Sequence, residues 1–196
     1  MGRKVRLRRY RPGDAAARQP FYDDSEMERT GSDVHFPRDA VRARRGIERE
    51  IAAGTAPAGA VWLIIETLAE SRPIGNVGLN HMNPRRRAAE IGITLWDRAA
   101  WGQGYASEAM RLLLRFAFRE LDYAKINLTV LAANARAIAL YEHLGFRHEG
   151  RRCSQVYGEG GRTDEILMGL TREEYDAQHP IWFPDAGMST QERSAE

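Results

Sequence analysis

Val5 and Leu7 alternate with Arg6 and Arg8, the period of a half-buried strand. Pro12-Gly13-Asp14 breaks the run, and Asp14 is placed to cap a short helix over 15–21. Pro37 opens a second helix, about 38–53, closed by Gly54. The stretches 60–66, 73–80 and 88–96 read as strands, the first two as a hairpin. The last two flank the charged turn Asn83-Pro84-Arg85-Arg86-Arg87. Met110, Leu113, Leu114, Ala117 and Leu121 recur at helical spacing and predict a longer helix over 105–120. A strand over 125–131 precedes a helix over 134–144, with Asn134 as N-cap and Gly145 just past its end. Two strands, about 146–157 and 164–170, and a short helix over 172–178 complete an order βααβββαβαββ. That is a mixed α/β pattern rather than a regular βαβ alternation.

The 196 residues suit one domain, 1–178, with a C-terminal tail, 179–196, whose Ile181-Trp182-Phe183 is apolar enough to dock. Composition is that of an ordinary globular chain, 43% hydrophobic and 29% charged. The 29 basic residues comprise 27 arginines and only Lys4 and Lys125, which raises a nucleic-acid reading. Against it, the arginines are spread beside acids as on a solvated surface, without the aromatic interleaving of single-strand RNA modules. No apolar run approaches a membrane span, and no h-region follows the basic start. A lone Cys153 and five histidines without ligand spacing predict no metal site. The expectation is a cytoplasmic protein with neither nucleic-acid nor membrane partners.

Chemistry concentrates in Trp101-Gly102-Gln103-Gly104-Tyr105-Ala106, between a strand and the long helix. Two glycines let the backbone approach a ligand, and the open N–H groups of the first helical turn form an anion site. Alone, a GxG before a helix is equally a plain turn, and it is neither a P-loop nor a dinucleotide fingerprint. A second stretch runs from Asn134 to Phe146. Asn134, Ile138 and Tyr141 share one helical face there, and Leu140 and Leu144 lie towards the core.

Together the two stretches resemble the GNAT superfamily of acyl-CoA-dependent N-acyltransferases. The superfamily's pyrophosphate loop reads Arg/Gln-x-x-Gly-x-Gly/Ala, and here Trp101 stands in the first position, a departure common in the RimJ/RimL-type branch. The run Asn134…Ala-Ile-x-Leu-Tyr-Glu-x-Leu-Gly-Phe matches the second signature. The opening Arg6-Leu7-Arg8…Asp14 also fits, and Asn80-His81…Arg86-Arg87-Ala88-Ala89-Glu90 is similar to a segment of spermidine acetyltransferases. The resemblance covers about residues 5–175. It implies an α+β fold: a twisted, mixed, mostly antiparallel sheet of about seven strands flanked by about four helices. Strands four and five splay into a V. It further implies acetyl-CoA in that gap, its pantetheine along Leu95 and Trp96 and its pyrophosphate on the amides of Gly102, Gln103, Gly104, Tyr105 and Ala106. Asn134 would touch the pantetheine side, Arg136 would add charge to the nucleotide end, as Arg98 and Arg111 could also do, and Tyr141 would be the general acid.

Acetyl transfer needs a neutral amine. At pH 7 an α-amine is roughly 10% neutral and a lysine-like amine roughly 0.04%. Glu90 is the candidate base, since alternation places it with Gly92, Thr94 and Trp96 on one strand face. An ion pair with Arg86, Arg87 or a neighbour is the plain alternative, as a core phenol is for Tyr141. Asp23, Asp24, Glu26 and His35 would line an acceptor pocket suited to a cationic amine or a peptide N-terminus. A solvated acidic loop is the alternative. The leading function is N-acetylation of a primary amine in a ternary complex. A non-catalytic acyl-CoA-binding module is the alternative, and a homodimer is compatible with either.

Overall fold

The computed structural model describes residues 2–18, 59–158 and 161–179, with single positions at 21, 41, 45 and 48. Apart from the single positions 41, 45, 48 and 179, the expected helix over 38–53, the acidic segment and the C-terminal tail therefore lie outside the described residues. Seven strands form one sheet in the order β1-β2-β3-β4-β5-β7-β6. They are β1 (Val5–Arg8), β2 (Val61–Thr67), β3 (Pro73–Asn83), β4 (Ala88–Leu95), β5 (Lys125–Leu131), β6 (Arg147–Gly158) and β7 (Gly161–Thr171). The α-helices bounded within the described residues are α1 (Asp14–Arg18), α2 (Tyr105–Arg115), α3 (Ala135–His143) and α4 (Arg172–Gln178). Every pairing is antiparallel except β4 with β5.

The two faces of the central strands differ in chemistry. Leu63 and Ile65 of β2, Val77 and Leu79 of β3, Ile91 and Ile93 of β4 and Ile126, Leu128 and Val130 of β5 share one face through their registers. This apolar face belongs to the core that includes Ala109, Met110, Leu113, Leu114 and Ala117 of the α2 region. The opposite face carries Trp62, Asn76, Asn80, Glu90, Thr94, Asn127 and Thr129. At its outer edge buried Glu66 accepts hydrogen bonds from Arg6 and Arg8, and Arg8 also pairs with buried Asp14. Burial pushes the Glu66 carboxyl up, and the two arginines more than offset it, so its pKa is lowered.

Two local expectations change. Asp14 is the first residue of α1 rather than its cap, and its carboxylate accepts from Arg8 and the Arg11 N–H. The long helix does not run uniformly to 120. It widens into a π-helical turn over Phe116–Glu120, closed by Leu121 N–H to the Phe116 carbonyl at 3.1 Å. That wider turn buries Phe118 fully and leaves Leu121 37% exposed, so Leu121 drops out of the apolar face on which its spacing put it.

Candidate active site

The parallel ladder between β4 and β5 is only three rungs long, Ala88–Lys125, Ala89–Ile126 and Glu90–Asn127. Beyond Glu90, β4 keeps its pairing to β3 as far as Leu95, and β5 keeps its pairing to β7 as far as Leu131. The facing edges of 91–95 and 128–131 thus part into a V while each arm stays anchored on its outer side. Alternate N–H and C=O groups on those edges have no strand partner, a condition that a ligand amide can satisfy.

The mouth of the V is built by the segment after β4. Asp97 caps a 3₁₀ turn over Arg98–Ala100 by accepting from the Ala99 N–H at 2.9 Å. Gly102 and Gly104 follow at φ +74° and +81°, left-handed backbone that a side chain strains. The first intrahelical bond of α2 runs from the Glu108 N–H to the Gly104 carbonyl at 3.1 Å. The N–H groups of Tyr105, Ala106 and Ser107 are therefore the open first turn. Among the described residues the backbone N–H groups of Gly102 to Ser107 make no hydrogen bond of normal geometry. Gln103 folds back onto the Ala99 carbonyl, which fixes the loop from within. Lys4, invisible to motif reasoning because it lies 99 positions away in sequence, donates to the Gln103 carbonyl at 2.9 Å and sets an ammonium group beside the loop.

Trp101 ties the two arms together. Its indole N–H donates to the Leu95 carbonyl at 2.9 Å. Arg136, from the first turn of α3 beyond β5, stacks 4.0 Å from its ring centroid, and Arg98 lies over the same ring at 5.8 Å. Arg136 thus lies beside the loop, where it engages an indole. The Leu95 carbonyl is likewise engaged by Trp101. Trp96 is 1% exposed with Arg18 over its ring, so its side chain is core. Arg111 meets His143 at 3.1 Å and donates to the Ser107 hydroxyl, in the first turn of α2, at 3.4 Å.

Asn134 caps α3, its Oδ1 accepting from the Ala137 N–H at 3.1 Å. Tyr141 is 8% exposed, with Phe146 edge-on at 6.1 Å. α3 therefore turns its phenol, and not Leu140, most deeply inward; Leu144 is buried as expected. Burial pushes the Tyr141 phenol up to about 12, so it is protonated throughout the neutral range.

At the apex, Glu90 sits on the last rung. Its partners are neither Arg86 nor Arg87: its Oε2 meets His81 Nδ1 at 2.5 Å, and its Oε1 accepts from the Thr129 hydroxyl at 3.3 Å. Arg87 instead pairs with Asp122 at 2.7 Å, and the Arg86 N–H bonds Asn83. Beside this cluster the Trp62 indole lies over Gly78 and Gly92, where a Cβ would come within 2.5 Å and 3.0 Å of it, and donates to Asn80 Oδ1 at 2.9 Å. Neither His81 nor Trp62 is singled out by spacing. Asp23, Asp24, Glu26 and His35 lie outside the described residues. No group of metal-ligating side chains occurs among the described residues, and no described helix is long and apolar enough to cross a membrane.

This geometry, a splayed parallel pair with open helix-start amides at its mouth, matches a known domain. Residues 4–147 fit the acetyltransferase (GNAT) domain model. The chain belongs to the GNAT acetyltransferase family. Over 178 residues it is 32% identical to the SPbeta prophage-derived uncharacterized N-acetyltransferase YokL of Bacillus subtilis, spanning 91% of this chain and 96% of that one. It is 31% identical over 105 residues to the spermidine N(1)-acetyltransferase of Escherichia coli K12, 54% of this chain and 56% of that one. Over 104 residues it is 27% identical to the putative ribosomal N-acetyltransferase YdaF of Bacillus subtilis, 53% of this chain and 56% of that one. These last two matches span about half of either chain. The fold is similar to that of a spermidine N-acetyltransferase from Vibrio cholerae solved with CoA and spermine, with TM-score 0.76 at 22% identity, covering 87% of this chain and 97% of that one. The mixed seven-strand sheet and the β4–β5 splay that the resemblance implied are present, and this GNAT domain is an acetyl-CoA-dependent acetyltransferase.

Proposed function

We propose that this GNAT protein transfers an acetyl group from acetyl-CoA to the primary amine of a small cationic acceptor or a peptide N-terminus, by direct attack in a ternary complex. The observation that carries the reading is the termination of the β4–β5 ladder after Glu90 and Asn127, with the open amides of Gly102–Ser107 at the mouth. Acetyl-CoA supplies the activated thioester. The amides of Gly102, Gln103, Gly104, Tyr105 and Ala106 receive its pyrophosphate, with Lys4 as counter-charge. The β4 edge approaching Leu95 and Trp96, together with Asn134, flanks its pantetheine arm, and Arg136 is held at the nucleotide end by Trp101.

Tyr141 serves the leaving sulfur. Against a thiol of about 8.5, a phenol at about 12 gives up its proton uphill by about 5 kcal/mol. The apolar surroundings that raise the phenol raise a neighbouring thiolate too, which narrows that gap. Tyr141 therefore hydrogen-bonds the sulfur and passes its proton only as the C–S bond breaks. The base function belongs to the Glu90 end of the V.

A cationic acceptor suits the polar sheet face, where the Trp62 ring of β2 and the Glu90 carboxylate of β4 present a π-face and a negative charge on either side of β3. Asp23, Asp24, Glu26 and His35 extend that character in the proposal. The spermidine acetyltransferase relative supports the same class, and the ribosomal relative supports the RimJ/RimL-like alternative of a peptide N-terminus. A cytoplasmic location, a homodimer and the absence of a nucleic-acid partner complete the reading.

The test is incubation with acetyl-CoA across polyamines, aminoglycosides, amino acids and N-terminal peptides, with the amide detected by mass. Amide on the cationic small amines or on the N-terminal peptides is expected. CoA binding without any amide would point to an acyl-CoA-binding module instead.

A further inference from the structure

We infer that His81 is the group that takes the proton from the acceptor ammonium, with Glu90 and Thr129 holding its ring in place. The inference rests on the acetyl-transfer reading above. It starts from the backbone. Asn80 pairs with Glu90 across β3 and β4 and shares its face, so regular alternation sends residue 81 to the opposite, apolar face. It does not go there. The register breaks between Asn80 and Asn83, and His81 takes φ +48°, a left-handed conformation that costs energy for any side chain. That bulge brings the imidazole back to the face of Glu90, with Nδ1 at 2.5 Å from Oε2.

A carboxylate only accepts, so Nδ1 is the donor to Glu90, and it is the neutral ring's Nε2 that offers a lone pair. Among the described residues nothing engages Nε2, and the His81 side chain is 82% exposed. Glu90 itself is committed on both oxygens, to His81 and to Thr129. Three strands, β3, β4 and β5, thus contribute one hydrogen-bonded chain at the rung where the V opens. It has the order hydroxyl, carboxylate, imidazole, with the free imidazole nitrogen at its end. A carboxylate that fixes tautomer and orientation leaves the outer nitrogen to act as the base.

The step balances as follows. One ammonium proton moves to His81 Nε2 and from there to bulk water. The freed lone pair forms the N–C bond, and the C–S bond breaks with its electrons on sulfur. Sulfur takes a proton from Tyr141, which is restored by the second proton lost from nitrogen.

The test compares His81→Asn and His81→Gly with the unaltered full chain, by amide formation at pH 7. Asparagine tolerates the left-handed backbone and cannot take the proton; glycine opens room for a free imidazole. Loss of the base is bounded by the fraction of acceptor already neutral. We expect kcat to fall about 100-fold for a lysine-like amine and less than about 10-fold for an α-amine, with the KM for acetyl-CoA unchanged. Added imidazole should restore His81→Gly several-fold. Turnover within twofold of the unaltered chain, or a loss that imidazole does not relieve, overturns this proposal alone. No amide from the unaltered chain overturns the acetyl-transfer reading and this proposal with it.

Discussion

The two ends of the β4–β5 gap are made of different material. At the mouth, the groups on offer are backbone: amides of Gly102 to Ser107 and strand edges, braced by an indole stacked under Arg136. At the apex they are side chains: His81, Glu90 and Thr129 from three adjacent strands. Backbone amides bind an anion without a side chain that can titrate, which suits holding a phosphate equally before and after reaction. Side chains can exchange protons, which suits the end where charge changes. Substitutions at the two ends should therefore separate turnover from cofactor affinity.

The largest effect on that separation is expected from Tyr141→Phe, which leaves the loop intact. It should lower kcat by about 10- to 100-fold, while the Kd for CoA measured by calorimetry stays within about twofold. The same residue makes an alkaline prediction. Its phenol keeps its proton to about pH 12 when folded, whereas an unfolded tyrosine loses it near 10. The folded state thus holds more protons between those values, and stability present below pH 10 is lost as pH rises towards 12. Unfolding free energies from urea titrations at pH 9 and pH 11.5 should differ more in the unaltered chain than in Tyr141→Phe, by about 1–2 kcal/mol. An equal pH dependence would mean that water reaches the phenol.

Next in size is Thr129→Val, which removes the donor to Glu90 Oε1 without changing shape. A three- to tenfold drop in kcat, about 1 kcal/mol, is expected with no change in CoA affinity. Smallest is Arg136→Ala at the mouth. Losing its stack on Trp101 should weaken CoA by about two- to fourfold and leave kcat at saturation alone. An effect of Arg136→Ala on kcat, or of Thr129→Val on CoA binding, would blur the division.

The mouth was legible in the sequence and the apex was only half so. Gly102 and Gly104 announce left-handed backbone because few other residues adopt it, and Asn134 and Gly145 announce the ends of α3. Strand alternation put Glu90 on its correct face. It could not place His81, because the bulge in β3 that returns it to that face leaves no signal that spacing can detect. The partners of Glu90 come from β3 and β5, and a parallel pairing between β4 and β5 cannot be registered from local pattern. Trp62 was unreadable for a related reason: its place over Gly78 and Gly92 depends on cross-strand register. The π turn at Phe116–Glu120 hides inside a good helical period and shows only when Leu121 turns outward.

The measurement that bears most directly on the central claim, a cofactor held at the mouth by loop amides, is a pair of titrations. CoA and pantetheine, which lacks the pyrophosphate, are each titrated into the unaltered chain and into Gly104→Val. A β-branched residue at φ +81° must distort the loop. The Kd for CoA should rise by about tenfold or more while that for pantetheine stays within about twofold. An unchanged CoA affinity, or an equal loss for both ligands, would contradict the assignment of the pyrophosphate to Gly102–Ala106.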